Sequence, residues 1–163
     1  MRQVMRLVLL AAFAAACAQV EIKPPEGDLD FSLAGRIAVR SGNEAFTGNI
    51  AWRHAKGGDE ILLSTPTGQG VAQILRQGDA VLLKTSEGKE YRAADSESLT
   101  ERVLGFRLPL EGLADWVQGR PSPALEARGW KIEYQSRDEK GRPSLMRLNY
   151  QGIELRFAIS QWR

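Results

Sequence analysis

From Phe31 onward, apolar residues recur at every second position. The run "FSLAGRIAVR" sets Phe31, Leu33, Ile37 and Val39 on one side, and "EAFTGNIAWRH" does the same with Phe46, Ile50 and Trp52, Gly48 standing between them. "EILLSTP", "GVAQILR" and "AVLLKTS" follow, separated by the turn-forming stretches "SGN", "AKGGD", "TPTG", "QGD" and "SEGK". Short alternating runs punctuated in this way predict an antiparallel meander. The pattern returns in "WKIEYQS", "SLMRLNY" and "IELRFAISQW", with "RDEKGRP" and "QG" as hairpin loops. Eight or more strands are enough to curl into a barrel or half-barrel.

The interruption has a different period. In "DSESLTERVLGFRLPLEGLADWVQGRPSP", Asp95 or Ser96 caps a first helix whose Leu99, Val103 and Leu104 share a side and which ends at Gly105. A second helix starts near Pro109 and carries a stripe of Leu110, Leu113 and Val117 with Trp116 adjacent; Gly119 and Pro121 stop it, and Gly112 weakens it. Two amphipathic helices inserted into a meander either roof its concave face as a lid or plug the end of a barrel. Periodicity alone favours the plug.

Before the meander lies a different kind of segment. Arg2 and Arg6 precede a short apolar core, Leu7 to Ala16, which has the layout of a secretory signal and falls short of the roughly 20 residues that span a bilayer. Ala14-Ala15-Ala16-Cys17 resembles the lipobox of bacterial lipoproteins, in which the thiol receives a diacylglyceryl group and cleavage falls just before it. Ala14 stands where that pattern usually has Leu, and Ala18 after the Cys resembles the outer-membrane class. The alternative is an ordinary signal cut near the same alanines, leaving a lone thiol in an oxidising compartment, which is a liability. The expected division is a signal peptide at 1–16, a lipidated Cys17 with a tether at 17–29 stiffened by Pro24-Pro25, and a domain at 30–163.

Cleavage leaves 147 of the 163 residues, one domain with room for a core. The formal charge of +2 is that of Arg2 and Arg6, so the mature side chains are neutral overall and carry no nucleic-acid footprint. With one Cys, no internal disulfide forms.

Candidate chemistry is sparse. The single histidine, His54, adjoins a hairpin turn and is expected to be solvated, as are Asp59 and Glu60. Asp95, Glu97 and Glu101 read as the wet face of a helix. No HExxH, phosphate loop, CxxC or serine elbow appears, and neither metal site nor cofactor is expected.

Taken together, "FSLAGRIAVR", "FTGNIAW", "LLSTPTGQG", "YRAADSESLTERVLGFRLPLEGLADWVQGRP" and "LRFAISQWR" resemble LolB, the outer-membrane lipoprotein receptor family of Gram-negative bacteria. The order and spacing of these segments, covering nearly the whole chain, carry the resemblance. It implies a mainly β fold with a helical insertion: an open antiparallel half-barrel covered by short α-helices, with the helices acting as a lid over an apolar cavity. It also implies a non-enzymatic role. A soluble periplasmic carrier, LolA, hands over acylated lipoprotein cargo, and the receptor, expected as a monomer held to the outer membrane by its lipid, releases the cargo into the inner leaflet.

The expected cavity residues are Leu33, Ile37, Ile50, Trp52, Leu63, Leu99, Val103, Leu113, Trp116, Val117, Leu155 and Phe157, about half of them facing the ligand. The family's membrane-delivery loop carries an exposed leucine between a proline and a glycine. Here Pro66, Thr67 and Gly68 match it, so the loop's shape is kept and its apolar tip is lost. Two rivals stay open: a half-barrel lipoprotein that binds a protein partner or an envelope lipid, and a scaffold lipoprotein that needs no pocket.

Overall fold

The computed structural model describes residues 21–104 and 107–163, except for the side chains of residues 103 and 104. Among them, nine strands form one sheet: β1 (Phe31–Ser41), β2 (Glu44–Ala55), β3 (Gly58–Ser64), β4 (Gly70–Gln77), β5 (Ala80–Thr85), β6 (Glu90–Ala93), β7 (Lys131–Arg137), β8 (Pro143–Tyr150) and β9 (Ile153–Trp162). Their spatial order is β6-β5-β4-β3-β2-β1-β9-β8-β7, and every neighbouring pair is antiparallel. The sheet is open, with β6 and β7 as its edges, and the fold is the mainly β half-barrel expected.

Register explains the alternation. Leu33 lies opposite Trp52, Val39 opposite Phe46 and Leu155, and Trp52 opposite Ile61, so each apolar set falls on one inner face. Two glycines let the sheet bend. A Cβ on Gly35 would sit 2.2 Å from the Ala158 carbonyl oxygen, and one on Gly48 would sit 2.2 Å from that of Ser64. Both lie beside irregularities in pairing, at Ala34/Gly35 and Leu63/Ser64, a feature that increases local strand twist.

From edge strand β6 the chain crosses the inner face to the opposite edge, β7, through three helices among the described residues: α1 (Ser96–Leu104), α2 (Leu110–Val117) and α3 (Pro123–Ala127). Asp95 caps α1, its Oδ1 accepting the Ser98 backbone N–H at 2.7 Å. Gly119, at φ +79°, ends α2 as expected. Helix α3 was not anticipated, because "GRPSP" reads as a stop; in fact Pro123 opens the helix and Leu125 is buried. Gly112, read from the sequence only as a weak point, is what admits α3. A Cβ there would lie 2.6 Å from Leu125 Cγ and 2.8 Å from Ser122 Oγ.

The main core fills the inner face and the undersides of the helices. A smaller cluster of Ile22, Leu75 and Leu82 lies apart from it. Leu75 faces Leu82 across β4 and β5, one position out of phase with inward Ile74 and Leu83, which places this cluster on the outer face. Ile22 and Pro25 are buried, and the Pro25 carbonyl accepts a hydrogen bond from Arg53 Nη2 at 3.3 Å. Within the segment expected to be a tether, Ile22 and Pro25 are therefore packed, while Lys23 and residues 26–28 are exposed.

Candidate functional site

A cavity of about 370 Å³ lies between the inner face and the helices. Strands β1 to β5 and β9 supply Ile37, Val39, Phe46, Ile50, Trp52, Ile61, Leu63, Ile74, Leu83, Leu155 and Phe157; Leu99, Leu110 and Leu113 from α1 and α2 roof it, with Leu108 between them. The lining is almost wholly apolar, as acyl chains require. Eight of the twelve residues expected from the sequence line it: Ile37, Ile50, Trp52, Leu63, Leu99, Leu113, Leu155 and Phe157. The side chain of Val103 lies outside the described residues.

Leu33, Trp116 and Val117 are buried in the core and do not line the cavity. For Trp116 and Val117 the reason lies in the course of α2. Its first turns, with Leu110 and Leu113, cover the cavity, whereas its last turn packs toward β7 and β8. There the Tyr134 hydroxyl donates to the Trp116 carbonyl at 2.8 Å. Trp116, Met146 and Leu148 are all fully buried on that side. The helices therefore act both as a roof over β1–β5 and β9 and as packing against β7 and β8. Val39, Phe46, Ile61, Ile74, Leu83, Leu108 and Leu110 were missed as lining residues, although the period-two pattern places Val39 in phase with Ile37, Phe46 with Ile50, and Ile61 with Leu63.

One end of the cavity is sealed by a buried charge network. Asp59 is fully buried; its Oδ1 accepts from Trp52 Nε1 at 2.7 Å and from His54 Nδ1 at 2.6 Å, and its Oδ2 accepts from Arg76 Nε at 2.5 Å. Burial pushes the Asp59 carboxyl up, but the hydrogen bonds from His54 and Trp52 and the charge of Arg76 outweigh it and hold the group below the ordinary carboxylate value. Arg76 also lies 3.7 Å from Glu111 on α2, and Glu111 accepts from Ser96 Oγ on α1 at 3.2 Å, tying sheet to roof. These contacts correct three expectations. His54 is not solvated: it stacks on Phe31 at 4.9 Å and bonds Asp59. Asp59 and Glu60 are not surface groups: Glu60 is buried, paired to Arg53 at 3.1 Å and to Gln73 at 2.8 Å. All three occupy strand positions that the neighbouring turn disguised.

The other end reaches Ser41, Glu44 and Thr85, where the β1–β2 and β5–β6 turns leave it open. The loop from Thr65 to Gln69 stands at this mouth, leading directly into the cavity residues Val71 and Ala72. It is held in one shape: Thr65 N–H donates to the Gln69 carbonyl at 2.8 Å, Gly68 N–H to the Thr65 carbonyl at 2.9 Å, and Asn49 Nδ2 to the same carbonyl at 2.9 Å. Pro66, Thr67 and Gly68 are exposed, and the Thr67 hydroxyl lies 2.9 Å from that of Thr65.

A larger, open groove of about 1120 Å³ crosses the outer face over Ala34, Ala51, Leu62, Gln73, Ala158 and Ser160. At 44% Leu62 is the one exposed large hydrophobic side chain among the described residues. The groove is bigger, but only the inner cavity is enclosed by two layers of structure, which is what keeps water off an acyl chain.

The family model described as outer membrane lipoprotein LolB matches residues 29–162. Proteins named outer-membrane lipoprotein LolB are similar along most of their length. That of Thiobacillus denitrificans is 35% identical, the match covering 97% of each chain; that of Nitrosomonas europaea is 35% identical over 88% of this chain and 80% of its own. Among solved structures, a LolA superfamily protein, NE2245 from Nitrosomonas europaea, superposes with a TM-score of 0.52 at 12% identity, over 86% of this chain and 87% of that one, a likeness of fold.

Proposed function

Because this chain belongs to the LolB family of outer-membrane lipoproteins, we propose that it accepts acylated lipoproteins from the periplasmic carrier LolA and releases them into the inner leaflet of the outer membrane. The observation that carries this reading is the apolar cavity, sealed by Asp59 and its partners at one end and open beside the 65–69 loop at the other. Each methylene exposed to water costs about 0.8 kcal/mol, so several acyl chains exposed together would cost tens. Transfer therefore runs from pocket to pocket to bilayer without full exposure. No covalent step is involved, and direction follows graded affinity.

At about 370 Å³ the cavity is near the small end of ligand pockets, which run from roughly 300 to 1,000 Å³. Admitting several chains requires α1 and the first turns of α2 to move off the sheet. The Arg76–Glu111 contact is the polar tie between sheet and roof that such movement breaks, whereas the Ser96–Glu111 bond holds α1 and α2 to each other. Cys17, outside the described residues, is the proposed lipidated residue, and no described helix is long and apolar enough to cross a membrane. The tip of the delivery loop is Thr67, so its contribution here is one of shape and position.

The test is a transfer assay. LolA loaded with a triacylated lipoprotein is mixed with residues 18–163, and the two proteins are separated. Cargo is expected on this protein. Cargo that stays on a competent carrier, with the acceptor folded, refutes the transfer reading and favours the binding of a protein partner or envelope lipid instead.

A further inference from the structure

The outer face of the sheet carries one covered row of side chains and, beside it, one open row. Ser32, Arg53, Glu60, Leu75 and Leu82 stand opposite one another across β1 to β5. The chain's own residues 22–25 lie over this row: Ile22 packs on Leu75 and Leu82, and the Pro25 carbonyl accepts from Arg53 Nη2 at 3.3 Å. A segment without helix or strand structure thus crosses the strands on this face. The next row toward the mouth, Ala34, Ala51, Leu62, Gln73 and Lys84, floors the open groove, with exposed Leu62 near its middle. Arg36 and Lys84 are the charged residues that line it, and no carboxylate does so among the described residues. Gln73 and Gln161 add side-chain amides, which donate and accept and so can bond a main chain of any sequence. At its β4–β5 end the groove meets the cavity mouth, where Val71 and Thr85 line both.

We propose that this groove holds the extended N-terminal polypeptide of the cargo, the residues that follow its acylated cysteine, while the acyl chains occupy the cavity. This rests on the transfer reading, and the continuity of groove and mouth carries it. From Lys84 on β5 to Gln161 on β9 is five strand spacings, about 24 Å at roughly 4.8 Å each, the length of about seven extended residues. A segment of that length leads the folded part of the cargo past β9, clear of the mouth that the bilayer has to approach. The two cations favour a segment that carries carboxylates, and the small floor residues leave room for side chains of many kinds.

The test uses the mature chain, residues 17–163, as Cys17→Ala so that it bears no lipid of its own. Its probes are three synthetic triacylated lipopeptides: one ending at Cys-Ser, one extended by about seven residues that include two glutamates, and one of the same length with two lysines. The glutamate tail is expected to bind about three- to tenfold tighter than Cys-Ser, as two exposed ion pairs allow, and the lysine tail no tighter. A photoreactive residue in the middle of the glutamate tail is expected to crosslink to the groove floor around Leu62. Arg36 is exposed, so Arg36→Glu is expected to pass the advantage from the glutamate to the lysine tail while leaving Cys-Ser binding unchanged, a reversal that a folding defect does not produce. Tails that bind no better than Cys-Ser, or crosslinks that fall outside the groove, leave this face to a folded partner protein and overturn the proposal. A Cys-Ser lipopeptide that fails to bind the folded protein refutes the cavity reading itself and this proposal with it, so the two failures are told apart.

Discussion

Replacing Asp59 by Asn tests whether the sealed end of the cavity is held by charge. The carboxylate has no contact with water and receives three donors, from Trp52, His54 and Arg76. Asparagine keeps the size but loses the charge, and its amide NH2 presents donors where the carboxylate had only acceptors. Arg76, almost as deeply buried, is left with Glu111 at 3.7 Å and the Gly78 carbonyl at 2.9 Å. Removing one partner of a buried ion pair costs about 3–5 kcal/mol, a large part of the roughly 5–15 kcal/mol that holds a domain folded. The pH dependence has a definite sign. The folded-state pKa of Asp59 is below the unfolded one, so its contribution is complete above an unfolded carboxylate pKa of about 4 and drains away as pH falls below that toward the folded value. Urea unfolding of residues 18–163, followed by tryptophan fluorescence, should show the Asn variant about 3 kcal/mol or more less stable at pH 7, with the gap narrowing as pH falls below about 4. A loss under about 1 kcal/mol at pH 7, or a gap independent of acid, would show that the network is not what seals this end.

Three further outcomes follow from particular contacts. Gly112→Ala should destabilise by about 1–3 kcal/mol in urea despite the better helix former, because the methyl meets Leu125 at 2.6 Å; a gain in stability would mean α3 yields freely. Trp52→Phe should cost at least ~1 kcal/mol more than Trp116→Phe, since the Trp52 N–H serves Asp59 whereas the buried Trp116 N–H has no partner among the described residues; equal losses measured by thermal unfolding would contradict that difference. Thr67→Leu should raise the rate at which loaded protein inserts cargo into liposomes while leaving cargo acceptance unchanged; an unchanged insertion rate shows that the loop tip is not limiting.

Most of the half-barrel was legible because its inner face is apolar at strict period two, from Phe31 to Val39 on β1 and from Phe46 to Trp52 on β2. The same rule, extended by one position, would have found the charge network. His54 continues the phase of Ile50 and Trp52, Asp59 that of Ile61 and Leu63, and Arg76 that of Ala72 and Ile74. Polar residues in inward phase on three adjacent strands, each next to a turn, are more economically read as one buried cluster than as three solvated strand ends. What period two does not contain is the tilt of a helix across the sheet. Leu113 and Val117 share a stripe on α2, yet the first lines the cavity and the second packs in the plugged half, because the helix passes from one half of the sheet to the other.

The packed N-terminal segment was illegible for a related reason. Ile22 sits between Glu21 and Lys23 just before two prolines, where only Val20 shares its phase and no sustained periodicity marks a strand, and its partners Leu75 and Leu82 lie out of phase with the inward residues of their strands. Buried residues in outward phase on two neighbouring strands imply a cover on that face, and the chain supplies it from its own N-terminal segment. The polar outer neighbours of that pair, Gln73 and Lys84, show where the cover ends and the open groove begins.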